Sequence, residues 1–83
     1  MLQFFSTRQL CETKDLADSF VGQYFWAYAS RGGKLGMAQI VRIDDDKWAM
    51  RLSEVTYEPE KLLEQFPNVN FVLIGPQPDP SAV

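Results

Sequence analysis

Phe20-Val21-Gly22-Gln23-Tyr24-Phe25-Trp26-Ala27-Tyr28-Ala29 is the stretch that decides how this chain folds. A helical reading has a basis. Leu16, Phe20, Tyr24 and Tyr28 fall four apart, and a helix from Asp15 would meet its stop at Gly32 or Gly33. The strand reading rests on residue type. The segment is aromatic and β-branched, Gly22 weakens a helix interior, and a helix over 24–29 would be apolar on every side. We read a strand from about Gly22 to Ala29. Tyr24, Trp26 and Tyr28 then share one face, and Phe25, Ala27 and Ala29 share the other.

Toward the C-terminus, residues 30–36 hold Gly32, Gly33 and Gly36 and read as a flexible turn. Residues 37–43 are apolar and β-branched and read as a strand, and the polar run 44–47 reads as a turn. Over 48–53 the alternation is clean: Trp48, Met50 and Leu52 on one face, Ala49, Arg51 and Ser53 on the other. These two strands make a hairpin, which the preceding strand extends into a meander. Glu58-Pro59-Glu60 opens a helix, because proline suits the first helical position and carboxylates suit the positive end of the dipole. Leu62, Leu63 and Phe66 supply its apolar stripe, and Pro67 and Asn68 end it. Residues 69–74 form a last strand, apolar on both faces and expected to be covered on both, and Gly75-Pro76 stops it.

Toward the N-terminus, residues 2–5 read as a short first strand. Ser6 can cap a helical turn through Glu12, and 13–19 is a polar connection or a second helical turn. The expected fold is therefore α+β: a small twisted antiparallel sheet of three to five strands, with an open barrel as the alternative, and one or two short helices. Residues 1–75 form a single globular domain. Residues 76–83, punctuated by Pro76, Pro78 and Pro80, form an extended or disordered tail.

The chain has 83 residues, enough for one domain. With one cysteine and no histidine it can form no intrachain disulfide and offers one ligand toward a structural zinc site that needs four. No metal or other cofactor is expected. The net charge of −3 disfavours nucleic acid and anionic membranes as partners. No apolar run approaches membrane-spanning length and no leader pattern is visible, so a cytoplasmic protein is expected.

No catalytic constellation emerges, and the chain is expected not to be an enzyme. Without histidine, a Ser-His or Cys-His pair is excluded. Cys11, with Arg8 three residues back, reads as an ordinary buried or half-buried thiol rather than an activated one. Asp44, Asp45 and Asp46 lack the ligand spacing of a calcium loop and read as a solvated turn. The glycines of 30–36 lack phosphate-loop spacing.

The feature that stands out is aromatic and basic. Tyr24, Trp26 and Tyr28 on one strand can meet Trp48 on another, with Arg31, Lys34, Arg42 and Arg51 on the same or adjoining segments. Trp, Tyr and Arg dominate interface hot spots and stacking platforms. Two placements stay open. This face is the core beneath the helix, or Phe25, Ala27 and Ala29 face inward and the aromatics face out.

Gln23-Tyr24-Phe25-Trp26-Ala27-Tyr28, residues 37–42, Asp46-Lys47-Trp48, and the closing Phe71-Val72-Leu73-Ile74-Gly75-Pro76-Gln77-Pro78-Asp79-Pro80 together resemble small proteins of phages, prophages and mobile gene cassettes. Those often carry a Tyr-Trp-Ala-type strand, a tryptophan hairpin and an Ile-Gly-Pro-x-Pro close. The family resembled has no assigned chemistry and supplies no functional residues. The resemblance implies an accessory protein of a mobile element or phage. Two functions are expected of such a chain. The first is a non-enzymatic module that docks on an unidentified protein partner. The alternative is a small-molecule or single-stranded nucleic-acid binder that uses the aromatic face. Self-association into a homodimer cuts across both.

Overall fold

The computed structural model describes residues 3–77. In chain order its elements are β1 (Phe4–Ser6), α1 (Thr7–Glu12), α2 (Lys14–Ser19), β2 (Tyr24–Ala29), β3 (Lys34–Asp44), β4 (Lys47–Leu52), β5 (Val55–Tyr57), α3 (Pro59–Gln65) and β6 (Val69–Gly75). The α+β class and the small antiparallel sheet agree with the sequence pattern. The sheet has six strands and the helices number three, one more of each than the pattern offered at most.

The deciding stretch follows a helix that ends at Ser19 and is turn over 20–23 and strand from Tyr24. Ser6 begins α1 with a reciprocal cap: its hydroxyl accepts from the Gln9 N–H at 3.1 Å, and the Gln9 side chain accepts from the Ser6 N–H at 2.8 Å. Thr13 leaves helical geometry, and α2 resumes at Lys14. The helix that sequence spacing extended through Tyr24 stops at Phe20. Gly22 takes a φ of 89°, a left-handed value that glycine adopts without strain, and it turns the chain into β2. The turn expected over 30–36 is shorter than that, because β3 already begins at Lys34.

Strand order is β1-β6-β2-β3-β4-β5, every neighbouring pair antiparallel. The last strand is thus inserted between the first two. It pairs Phe71 with Phe5 on one side and with Ala27 on the other. Register shifts on either side of β2, at Tyr24/Phe25 toward β6 and at Ala27/Tyr28 toward β3, add local twist. The sheet remains open, with the short β1 and β5 at its edges. Of the residues expected in the first strand, Leu2 lies outside the described residues. So does most of the proline-rich tail, residues 78–83.

The helices cover one face of the sheet. Its core side chains are Phe25 and Ala27 of β2, Ala38 and Ile40 of β3, Trp48, Met50 and Leu52 of β4, and Val69 and Phe71 of β6, with Leu10, Ala17 and Leu62 inserted from the helices. Phe25 is the hub. Its ring lies 6.4 Å from Phe5, 6.1 Å from Phe20 and 6.5 Å from Phe71, in edge-to-face contacts. Tyr57 and Phe66, 5.2 Å apart, close the end near α3. Among the described residues the one buried polar side chain, Thr7, is satisfied by its hydroxyl donating to the Val69 carbonyl at 3.2 Å.

The β4–β5 hairpin, which the sequence pattern did not offer, is tight. Leu52 pairs with Val55, leaving Ser53 and Glu54 as a two-residue turn with φ of 51° and 69°. Both central residues are left-handed, the geometry that matches strand twist and that Asn-Gly normally supplies. Ser-Glu is a strained occupant, at about 1 kcal/mol per residue or more. The double substitution Ser53→Asn, Glu54→Gly should therefore raise stability by about 1–2 kcal/mol, seen as a higher urea midpoint with an unchanged slope. A lower midpoint would show that these side chains make contacts worth more than the strain.

Candidate functional site

Pairing register, more than residue type, decides what shares a face. Trp26 lies opposite Val72 on one side and Met37 on the other, and Val72 lies opposite Phe4. Phe4, Val72, Trp26 and Met37 thus form a cross-strand apolar row on the face that the helices do not cover. Directly paired residues point the same way. A second row runs parallel to it: Tyr24, Gln39, Arg51, Thr56. Tyr28, opposite Asn70, belongs to the same face.

This face is half-open to solvent. Tyr24, Trp26, Tyr28, Met37 and Val72 are half-buried, and Phe4 is 61% exposed. The Lys34 ammonium sits 4.1 Å from the Trp26 ring centroid, so one face of the indole is already covered by a cation. Between the rows lies a shallow hollow of about 230 Å³, bounded by Tyr24, Met37, Gln39, Arg51 and the strained Ser53-Glu54 turn. The Gln39 amide donates to the Gly22 carbonyl at 3.1 Å and so holds the rim.

Of the residues singled out in the sequence, Tyr24, Trp26, Tyr28 and Arg51 come together here. Trp48 and Arg42 do not. Trp48 pairs with Arg42, and both alternate with Ala49 and Val41, which lie on the open face. Trp48 is 4% exposed and packs in the core under the helices. Arg42 points to the helix side, where its guanidinium donates to the Asp18 carboxylate at 3.3 Å and to the Asp45 carbonyl at 3.1 Å. Arg31 sits exposed in the β2–β3 turn. The inward residues of β2 are Phe25 and Ala27, so the second of the two placements left open by the sequence is the observed one. Sequence reasoning passed over Phe4, Met37 and Val72, whose shared row depends on pairing across four strands.

The charges are segregated. Glu54 is the one acidic side chain lining the hollow. The other described carboxylates belong to α1 and α2, to the β3–β4 tip, or to α3 and the residue before it. The Cys11 thiol donates to the Pro59 carbonyl at 3.4 Å on the helix side, and burial, then the neighbouring Glu12 charge, pushes its pKa above the ordinary thiol value. That direction favours an inert thiol over a nucleophile. Among the described residues no group of three or more His, Cys, Asp or Glu side chains is placed to hold a metal ion, and no helix is long and apolar enough to cross a membrane.

No protein-family model, no curated protein and no solved structure matches this chain.

Proposed function

We propose that this protein is a non-enzymatic docking module whose helix-free sheet face binds a partner protein through an apolar segment flanked by acidic residues. The observation that carries this reading is the contiguous row Phe4, Val72, Trp26, Met37 left uncovered on a face whose lining charges are Lys34 and Arg51 against the single Glu54. An apolar row with a basic rim on an otherwise acidic protein selects for a partner of opposite charge around an apolar centre. Base stacking is the weaker use of the same face, because Lys34 occupies one side of the Trp26 ring where a base would lie. An accessory role of this kind is also what the sequence resemblance to small phage and mobile-element proteins implies.

The test is selection from a random displayed-peptide library on the immobilised protein. Enriched peptides should share an aromatic or aliphatic centre with Asp or Glu on its flanks. Their affinity should fall at least about tenfold with Trp26→Ala and with Arg51→Glu. Arg51 is exposed, so that variant keeps the fold even if loss of the half-buried indole does not. Basic enriched peptides, or binding indifferent to both variants, would overturn the proposal. A concentration-dependent dimer abolished by Phe4→Ala would also overturn it, by making a second copy of this chain the occupant.

A further inference from the structure

The sheet has two edges, β1 and β5, and they differ in what they offer a further strand. In an antiparallel ladder, residues alternate between pairs that exchange hydrogen bonds and pairs that do not. The Leu73 N–H donates to the Gln3 carbonyl at 2.8 Å, which makes Gln3 and Leu73 a bonded pair. Phe4 and Val72, one step along, are then a non-bonded pair. The Phe4 N–H and carbonyl therefore point away from β6, out of the sheet edge. Ser6, two residues on, has the same orientation, and its N–H is met by the Gln9 side chain at 2.8 Å. No turn, loop or cap bond of the described residues meets the backbone groups of Phe4.

The side chain of the same residue is 61% exposed and ends the apolar row that runs through Val72 and Trp26 to Met37. One position thus offers a backbone donor, a backbone acceptor and the open end of the row. Edge strands ordinarily blunt such an offer with lysine or proline, and β1 has neither.

Charge separates the two edges. Residues 1–11 contain no carboxylate side chain and one cation, Arg8, whose contact with Glu12 at 3.8 Å is exposed. β5 lies between Glu54 and Glu58. An acid-flanked segment is repelled by the β5 edge and accepted by the β1 edge.

We propose that the partner segment docks by adding a seventh strand to the sheet, antiparallel to β1. This inference rests on the docking reading and supplies its geometry. One apolar residue of the segment lies opposite Phe4. Its N–H donates to the Phe4 carbonyl, and its carbonyl accepts from the Phe4 N–H. Directly paired side chains share a face, so this residue extends the row beyond Phe4. The segment's N-terminal flank then runs toward α1, the helix that carries Arg8.

The test uses the full chain and the tightest peptide selected from the random library. Binding should slow exchange of the Phe4 amide hydrogen, read by NMR, at least about tenfold. A scan of N-methyl groups along the peptide should find one central position where affinity falls at least about tenfold, with both neighbours tolerant. Phe4→Pro removes an N–H that the β6 ladder does not use, at an edge position that tolerates proline. It should weaken binding at least about tenfold more than Phe4→Ala. If Phe4→Pro does not fold, the N-methyl scan on the unaltered protein decides. Binding that leaves Phe4 exchange unchanged and ignores every N-methyl group would overturn the strand geometry while leaving the docking reading in place. A library that yields no binder would overturn both. Phe4 protection that grows with protein concentration and needs no peptide would put a second copy on this edge and overturn the proposal.

Discussion

Phe25→Ala should cost about 3–5 kcal/mol of stability. The ring is fully buried and contacts three other phenylalanines, one each from β1, β6 and the end of α2. Removing it deletes an aromatic hub and leaves a cavity that four separate elements would have to collapse to fill. A domain of 83 residues is stable by about 4–12 kcal/mol in total. The variant should therefore melt at least about 12 °C lower and, at the unfavourable end, fail to fold cooperatively at room temperature. Phe4→Ala is the internal comparison. Phe4 is equally aromatic but 61% exposed, and its loss should move stability by less than about 1 kcal/mol. Thermal unfolding followed by circular dichroism measures both. Similar melting temperatures for the two variants would mean that the sheet is covered on the opposite face from the one described.

Gly36→Ala is the second large effect. Gly36 lies in β3 opposite Ala27 with a φ of 152°, where side chains are rarely accommodated. A β-carbon there would sit 2.6 Å from the Ser53 hydroxyl oxygen. That is well inside contact distance, and Ser53 is itself pinned in the left-handed region by the β4–β5 turn. The substitution should cost about 2–3 kcal/mol, combining backbone strain with overpacking. Ser53→Gly removes the clashing hydroxyl and relaxes the turn, so the double variant should recover part of the loss. A double-mutant cycle by urea denaturation reads the coupling. Purely additive costs would show that Gly36 is required for its backbone angle alone.

Much of the local structure was legible because it is written in short-range chemistry. Ser6 with Gln9 marks a helix start, Pro59 with its flanking glutamates marks another, and the alternation Trp48-Ala49-Met50-Arg51-Leu52 marks a strand whose apolar side must be buried. β5 was missed for an equally local reason. It is three residues long, and its turn uses Ser-Glu in a conformation that ordinarily calls for Asn-Gly. The stretch 20–29 resisted reading because the fourfold spacing of Leu16 and Phe20 belongs to the helical segment, while Tyr24 and Tyr28 continue the count by coincidence in a strand.

The helix-free face of the sheet shows where sequence stops. Alternation says that Tyr24, Trp26 and Tyr28 point one way and that Trp48, Met50 and Leu52 point together. It is silent on whether those two sets point the same way, since a shift of one residue in pairing exchanges the faces of a strand. That parity was set by nonlocal pairing: Trp26 with Met37, Gln39 with Arg51, and the insertion of β6 between β1 and β2. It sent Trp48 and Arg42 to the helix side and brought Phe4 and Val72, from opposite ends of the chain, beside Trp26. The sequence by itself determined most of the element types, the small α+β class and the inventory of aromatic and basic groups, because propensity, capping and periodicity act over a few residues. Tertiary structure alone decided which of those groups meet, because burial rewards one strand register over its neighbour only once the helices have chosen a face to cover.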